Sequence, residues 1–470
     1  MKNGRNTSLP VPLDLPPLFD HQASTIAFLI NQERALITSD AGTGKTRCVL
    51  EAFKQSESRR MLVLAPLSIL KPAWGDDIDQ WTPDLTWGIS TSQSAKARRQ
   101  AFDSKCDIVI TNHDAVKWLL KPANISLLND FDMICVDEVT AFKNPTSDRS
   151  RAIRDLVDLF ERRVMMSGTI TPNSVTDIWH PCVLLDDGER LGRSFYGFRL
   201  QVCTPKQVGP NPNQVKWLDN VGAEDQVAAK IHDITIRYRF EDCIDIPENT
   251  HRMMYIDLPN KLQTDYIILK EQAILEAESG VIINAIHAGA KYQKLLQLCS
   301  GAVYDENGDT QVFSTARSQL VMDLVAERDH TVVAFNWKHQ KAELLKIADK
   351  MGFAYAVIDG ETSRSAREKA VEDFQAGKLK VLFAHPASAS HGLTLTKGCA
   401  TIWASPTNRS ELFSQFNSRI YRAGQKRKTE TITIAARDTF EEDAYNTLDG
   451  KLAAMGSLLD IFQKNTAFAA

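Results

Sequence analysis

The chain has no Cys-x-x-Cys pair among its eight cysteines, which stand at 48, 106, 135, 182, 203, 243, 299 and 399. That scatter offers no zinc spacing. Most of these thiols sit in apolar stretches, as buried free cysteines do, so a reducing cytoplasm is expected. No apolar run is long enough to span a bilayer. The N-terminal segment 1–18 is polar, then proline-rich, and lacks the apolar centre of a secretory signal; no membrane partner is expected. Basic charge is not in excess either: 55 Lys and Arg face 59 Asp and Glu, for a net charge of −4. Any contact with nucleic acid must therefore come from a local basic face, not from the overall field.

What is present is a soluble, globular composition, with 43% hydrophobic and 24% charged residues. At 470 residues, two or three domains are expected. The most informative stretch is Ile37-Thr38-Ser39-Asp40-Ala41-Gly42-Thr43-Gly44-Lys45-Thr46. It follows the apolar run Ala35–Ile37 and precedes a helical segment. In a strand, glycine turn, Gly-Lys-Thr, helix arrangement, backbone N–H groups point at phosphate oxygens, the lysine reaches the β/γ-phosphates and the threonine hydroxyl ligates Mg²⁺. Ser39 and Thr43 belong to the same loop. Gln22, on a helix opening at Leu18, has an amide that can read an adenine edge.

Buried parallel strands follow at Met61–Ala65, stopped by Pro66, and at Asp107–Asn112. Ser68 starts a helix carrying Trp74 and Trp81. The strand Met133–Val136 ends in Asp137-Glu138. Asp137 would hold Mg²⁺ and Glu138 would orient or deprotonate an attacking water. Val164–Met166 runs into Ser167-Gly168-Thr169, whose hydroxyls would bond the acidic pair and sense the γ-phosphate. Near the C-terminus Arg419 and Arg422 stand three apart, a spacing that puts both on one helical face. Their planar forks suit a transferring phosphate.

Taken together these motifs resemble superfamily 2 helicase-type ATPases, and among them the Swi/Snf-like double-stranded DNA translocases. The resemblance rests on Ser39–Thr46, Leu62–Pro66, Asp137-Glu138-Val139-Thr140 with Lys143-Asn144, Ser167-Gly168-Thr169, and Gln415-Phe416-Asn417-Ser418-Arg419-Ile420-Tyr421-Arg422-Ala423-Gly424-Gln425. It covers roughly residues 18–460. It implies an α/β fold of two tandem RecA-like lobes with helical insertions and a C-terminal brace helix over Phe440–Phe462. The expected division is residues 1–182 for lobe one, 183–258 for an insertion and connector, 259–315 for a helical insertion, and 316–470 for lobe two. The text from Val183 to Pro247 reads as irregular, Arg252–Leu258 as a connecting strand, and Lys261–Cys299 as one long helical stretch.

The resemblance also implies ATP and Mg²⁺ as cofactors and hydrolysis between the lobes. Lys45, Glu138, Gln415, Arg419 and Arg422 are the expected catalytic residues, and Gly392 joins Gln22 and the loop at the nucleotide. Thr140 stands where the family usually has histidine, so coupling through that position would be altered. Lys71, Lys143, Thr394, Lys426, Arg427 and Lys428 are candidate nucleic-acid contacts. Double-stranded DNA is the expected track, with forked or single-stranded DNA as variants, and a monomeric motor of bacterial or phage type is expected. The alternatives are a strand-separating DNA or RNA helicase, and a nucleotide-gated nucleic-acid clamp with little turnover.

Overall fold

The computed structural model describes residues 15–91, 94–208, 214–278, 285–304, 309–389 and 392–453. Five apolar runs and the mixed Arg162–Met166 form the first strands: β1 (Arg34–Ile37), β2 (Met61–Ala65), β3 (Trp87–Ile89), β4 (Ile108–Asn112), β5 (Met133–Asp137) and β6 (Arg162–Met166). A hairpin of β7 (Cys203–Gln207) and β8 (Val215–Asp219) follows, and then the short β9 (Thr235–Ile236). The first sheet is parallel, in the order β3-β4-β2-β5-β6-β1-β9. Both its faces are covered, which is why β2 throughout, and β5 as far as Val136, are apolar instead of alternating. Successive residues of β2 feed opposite cores: Leu62 and Leu64 pack on one side, Met61, Val63 and Ala65 on the other.

The second sheet begins with β10 (Asn249–Ile256). A hairpin of β11 (Ala302–Tyr304) and β12 (Thr310–Val312) precedes β13 (Thr331–Ala334), β14 (Tyr355–Ile358), β15 (Val381–Ala384), β16 (Ala400–Trp403) and β17 (Thr429–Ala436). Its order is β10-β17-β16-β13-β15-β14, again parallel. The molecule thus has the two-lobed α/β architecture that the motifs imply, one parallel sheet per lobe.

Several segments differ from expectation. The described residues of 183–247 are not irregular. They carry the helices Phe195–Val202 and Ala223–Ile231, the β7–β8 hairpin, and β9, which pairs with β1. Buried Phe198, Val227 and Ile231 supply the apolar contacts that order this stretch; Pro210 and Pro212 lie outside the described residues. The expected connecting strand is β10, an edge strand along β17. Within the described residues the expected helical stretch is helical over Asn260–Glu278 and Ala285–Cys299, packed near Leu258 and Ala436. The helix expected from Ser68 is broken into a short turn, a wide π turn over Leu70–Gly75, and a helix over Asp76–Trp81.

The C-terminal helix occupies 440–453 within the described residues, so Met455, Leu458 and Leu459 fall outside them. Leu452 packs against both a lobe-one core and a lobe-two core, and Lys451 Nζ donates to Asn173 Oδ1 (3.5 Å) in lobe one. This helix therefore braces the lobes. Its first turn is anchored by an ion pair between Arg317 and Glu441, both almost wholly buried. Arg317 also donates to the Ala404 and Ile434 carbonyls, and Glu441 accepts from the Ala436 N–H. Removing one partner strands the other charge in a dry interior. Arg317→Met is expected to lower unfolding stability by about 3–5 kcal/mol, while Arg317→Met with Glu441→Leu recovers most of the loss. Thermal melts of the two variants check this.

Candidate active site

Register delivers the site. Ile37 of β1 and Asp137 of β5 both pair with Met166 of β6. Thr38, Glu138 and Ser167 therefore leave the sheet together at its C-terminal edge, where open α/β sheets gather ligands. Gly42 and Gly44 take φ values of +89° and +82°. A Cβ on Gly44 would lie 2.3 Å from Gln22 Nε2, and one on Gly42 would lie 3.0 Å from the Phe240 ring. Lys45 opens the helix Lys45–Gln55, and its ammonium donates to the Ser39 and Asp40 carbonyls (2.8 and 3.0 Å). Thr43 Oγ1 donates to the Asp40 carbonyl (2.9 Å).

The loop is buttressed by the segment following β9. Arg237 pairs with Asp40 (2.7 Å) and also donates to the Thr38 carbonyl, and the Phe240 N–H donates to Asp40 Oδ2 (3.0 Å). The Tyr238 N–H donates to Ser39 Oγ (3.0 Å). The Ser39 hydroxyl is thus a structural acceptor. Gln22 is buried against the loop. Its Oε1 accepts from the Phe19 N–H (3.1 Å) and its Nε2 donates to the Thr43 carbonyl (3.4 Å). His21 Nε2 donates to the same carbonyl (2.9 Å). Both ends of the Gln22 amide are thereby engaged by the chain itself.

Asp137 is buried. It accepts from Trp74 Nε1 at Oδ2 (3.0 Å) and from the Glu138 N–H at Oδ1 (3.0 Å). The π turn swings the fully buried Trp74 into this position, 63 residues away in sequence. His113 Nε2 donates to the Asp137 carbonyl (2.8 Å). Glu138 adopts φ +52°, and its Oε2 accepts from Ser167 Oγ (3.1 Å). Thr169 lies beside them with its buried Oγ1 unpartnered. Desolvation, then the neighbouring Asp137, push Glu138 up to about 7. Desolvation also raises Asp137 and lowers Lys45. Two adjacent carboxylates are oxygen donors of the kind that a hard divalent cation takes, and Thr46 in the first turn of the loop's helix would add a hydroxyl oxygen.

Lobe two closes the site from the other side. A cavity of about 340 Å³ is lined by Lys45, Glu138, Gly168 and Thr169 of lobe one and by Gln415, Ser418, Arg419 and Tyr421 of lobe two. Gln415 is buried with both amide atoms unpartnered, which suits a polar ligand in that cavity. The helix Ser410–Asn417 ends before the arginines, so they do not share a helical face. They converge all the same: Arg419 Nη1 and Arg422 Nη1 both donate to the Leu393 carbonyl (3.4 and 2.9 Å). Burial lowers both guanidinium groups, Arg419 to about 9.

Gly392, expected at the nucleotide, is not brought to this cavity. A Cβ there would lie 2.7 Å from Ile69 Cγ2, and the residue lines a second, larger cleft of about 860 Å³ with Lys71, Arg364 and Arg367. Thr394, Lys426 and Lys428 are exposed, Lys143 pairs with Asp177 (3.5 Å), and Arg427 pairs with Asp329 (2.9 Å) and donates to the Lys397 carbonyl. Arg427 is therefore committed to its own loop. Gln425 folds that loop: its Nε2 donates to the Thr396, Gly398 and Ile420 carbonyls, and its Oε1 accepts from the Lys426 and Arg427 N–H groups. His391 lies outside the described residues.

Two family models match the chain. Residues 21–299 match the SNF2-related domain and residues 314–424 the helicase conserved C-terminal domain. The chain belongs to the SNF2-related family: it is a Swi/Snf-like, helicase-type ATPase of superfamily 2. It is 29% identical over 469 residues to protein p41 of Acyrthosiphon pisum secondary endosymbiont phage 1, covering 94% of this chain and 98% of that protein. It is 24% identical to the ATP-dependent helicase/translocase YwqA of Bacillus subtilis, covering 89% of this chain and 45% of that one. A Sulfolobus solfataricus SWI2/SNF2 ATPase core in complex with dsDNA is 20% identical, with a TM-score of 0.44 over 98% of this chain and 96% of that one. The chain thus spans nearly all of the phage protein but under half of the Bacillus one.

Trp74, His113, Arg237 and Asp77 were not legible as site residues. Asp77 faces Arg422 across the lobes, yet desolvation outweighs that cation and pushes its carboxyl up to about 7. An acid raised on folding contributes stability present below its unfolded value and lost as pH rises through the folded one. Asp77→Asn is therefore expected to flatten the pH dependence of the melting temperature between about 3.8 and about 7. Trp74→Phe keeps the apolar ring and removes only the donor to Asp137. It is expected to lower kcat for ATP by about tenfold, close to 1.4 kcal/mol, with little change in melting temperature; steady-state ATPase assays and melts check this.

Proposed function

We propose that this protein is a DNA-stimulated ATPase that moves along double-stranded DNA. The observation that carries the reading is the single cavity walled by Lys45 and Glu138 on one lobe and by Gln415 and Arg419 on the other. Neither lobe completes it alone.

In this reading the loop amides, Ser39–Thr46, and the Lys45 ammonium hold the ATP phosphates. Thr46 and Asp137 would hold Mg²⁺, which would supply neutralisation of the phosphate charge. Glu138, poised near neutrality, takes a proton from water as the water oxygen bonds to the γ-phosphorus and the bond to the β–γ bridging oxygen breaks. Arg419 and Arg422 give up the Leu393 carbonyl to meet the charge on the transferring group. Ser167 and Thr169 sense whether that group is present. Adenine reading by Gln22 requires exchange of its bonds to Phe19 and Thr43.

Two lobes that grip one nucleotide close on binding and part after hydrolysis. The second cleft lies between the same lobes, with Lys71 on one wall and Arg364 and Arg367 on the other. A phosphate backbone held there, with Thr394, Lys426 and Lys428 as outer contacts, would be gripped alternately from each side. Such contacts position without reading bases, so sequence preference is weak and salt dependence strong.

ATPase rates with duplex, single-stranded and forked DNA and with RNA test the assignment. Duplex DNA is expected to stimulate most, with the effect fading as salt rises. Lys45→Ala is expected to lose about a hundredfold or more in rate. An unchanged rate in that variant would remove the site. Equal stimulation by RNA would remove the track, and fork unwinding without triplex displacement would make the protein a strand-separating helicase.

A further inference from the structure

Glu138 is a wall shared by two cavities. One is the nucleotide cavity. The other, of about 380 Å³, lies on the far side and is lined by Thr140, Lys143 and Arg149 of lobe one and by Arg409, Ser410 and Glu411 of lobe two. The helix Ser410–Asn417 separates them, with Glu411 facing the second cavity and Gln415 the first. At the second cavity the lobes touch through Ser410 Oγ, which donates to the Pro172 carbonyl (2.7 Å).

The lining suits an oxyanion. Thr140 is 3% exposed and its Oγ1 has no partner; a buried hydroxyl in that state is costly unless something accepts from it. Lys143 and Arg149 are tied to Asp177 and Asp114 at the rim. Arg409 has no carboxylate partner among the described residues, and the helix N-terminus that it precedes has no side-chain cap. Glu138 and Glu411 are the opposing charges. In-line attack by a water on Glu138 leaves the freed phosphate on the Glu138 side, with the diphosphate still held by the loop opposite.

We propose that this second cavity is an antechamber through which the freed phosphate leaves, held in transit by Arg409, Lys143 and the Thr140 hydroxyl. The inference rests on the hydrolytic reading above and adds to it a route and a site for the product. It also assigns a role to the threonine at the position where the family usually has histidine: a short side chain with a free donor lines the path instead of filling it.

The test is a single-turnover experiment on the full chain, with and without duplex DNA. Rapid acid quench follows cleavage, and a fluorescent phosphate-binding protein follows release. In Arg409→Glu and Arg409→Ala, release is expected to fall behind cleavage by about fivefold or more relative to the unaltered protein, the loss of one charge-assisted hydrogen bond. Thr140→Val, which removes only the hydroxyl, is expected to lag in the same direction by less. Release in step with cleavage in all three variants overturns the exit route alone. So does weakened DNA binding in Arg409→Glu with release still in step, which would assign these cations to backbone phosphates. An unaltered protein that cleaves no ATP overturns the hydrolytic reading and this inference with it.

Discussion

Asp137 and Glu138 leave the first sheet side by side in an enclosed place, with the Lys45 ammonium as the facing cation. Each is displaced from its ordinary ionisation by desolvation, the acids upward and the lysine downward. Charges brought out of water in this way must be paired and hydrogen-bonded. The surrounding structure answers that need. Trp74 and the Glu138 N–H bond the Asp137 carboxylate, Ser167 bonds Glu138, and the Ser39 and Asp40 carbonyls bond Lys45. The residual crowding of two carboxylates is what a divalent cation would relieve.

That cluster also sets what the second lobe must do. Its arginines are held close to the cavity but engaged with the Leu393 carbonyl, a neutral acceptor that can be released without stranding an ion pair. Among the described residues the lobes meet through the polar contacts of Ser410 with Pro172, Tyr421 with Glu241 and Lys451 with Asn173, together with the Leu452 side chain and the Phe240–Tyr421 ring pair. An interface of this kind can part and re-form, as a hinged cycle needs. The buried Arg317–Glu441 pair keeps the brace helix attached to lobe two while it reaches across. The Trp74 turn lies between the acid box and the cleft lined by Lys71, so the Asp137 carboxylate and the cleft share one short element.

How much was legible beforehand differs from element to element. The phosphate loop, the acidic strand end and the apolar strands were readable because each is local. Parallel strands buried on both faces are apolar runs, and a loop that wraps phosphates needs glycine at Gly42 and Gly44 whatever surrounds it. Residues 183–247 were misread because their order comes from packing: Phe198, Val227 and Ile231 are ordinary apolar residues until the first core exists. The arginine pair was placed on a helix by its spacing, yet the helix stops at Asn417 and the two side chains meet instead through a shared carbonyl.

By itself the sequence determined the kind of chemistry this protein carries, because the residue types needed to bind and cleave a polyphosphate occur in short, contiguous motifs. Only the tertiary structure decided how those motifs combine. The register across β1, β6 and β5 brings Ser167 against Glu138, and β9 returns from some 200 residues away to prop the loop through Arg237 and Asp40. The meeting of the lobes leaves one cavity lined by Lys45 and Gln415 and a second lined by Thr140 and Arg409. These are contacts between residues far apart along the chain, and burial and hydrogen bonding between such residues are properties of the packed fold, not of local sequence.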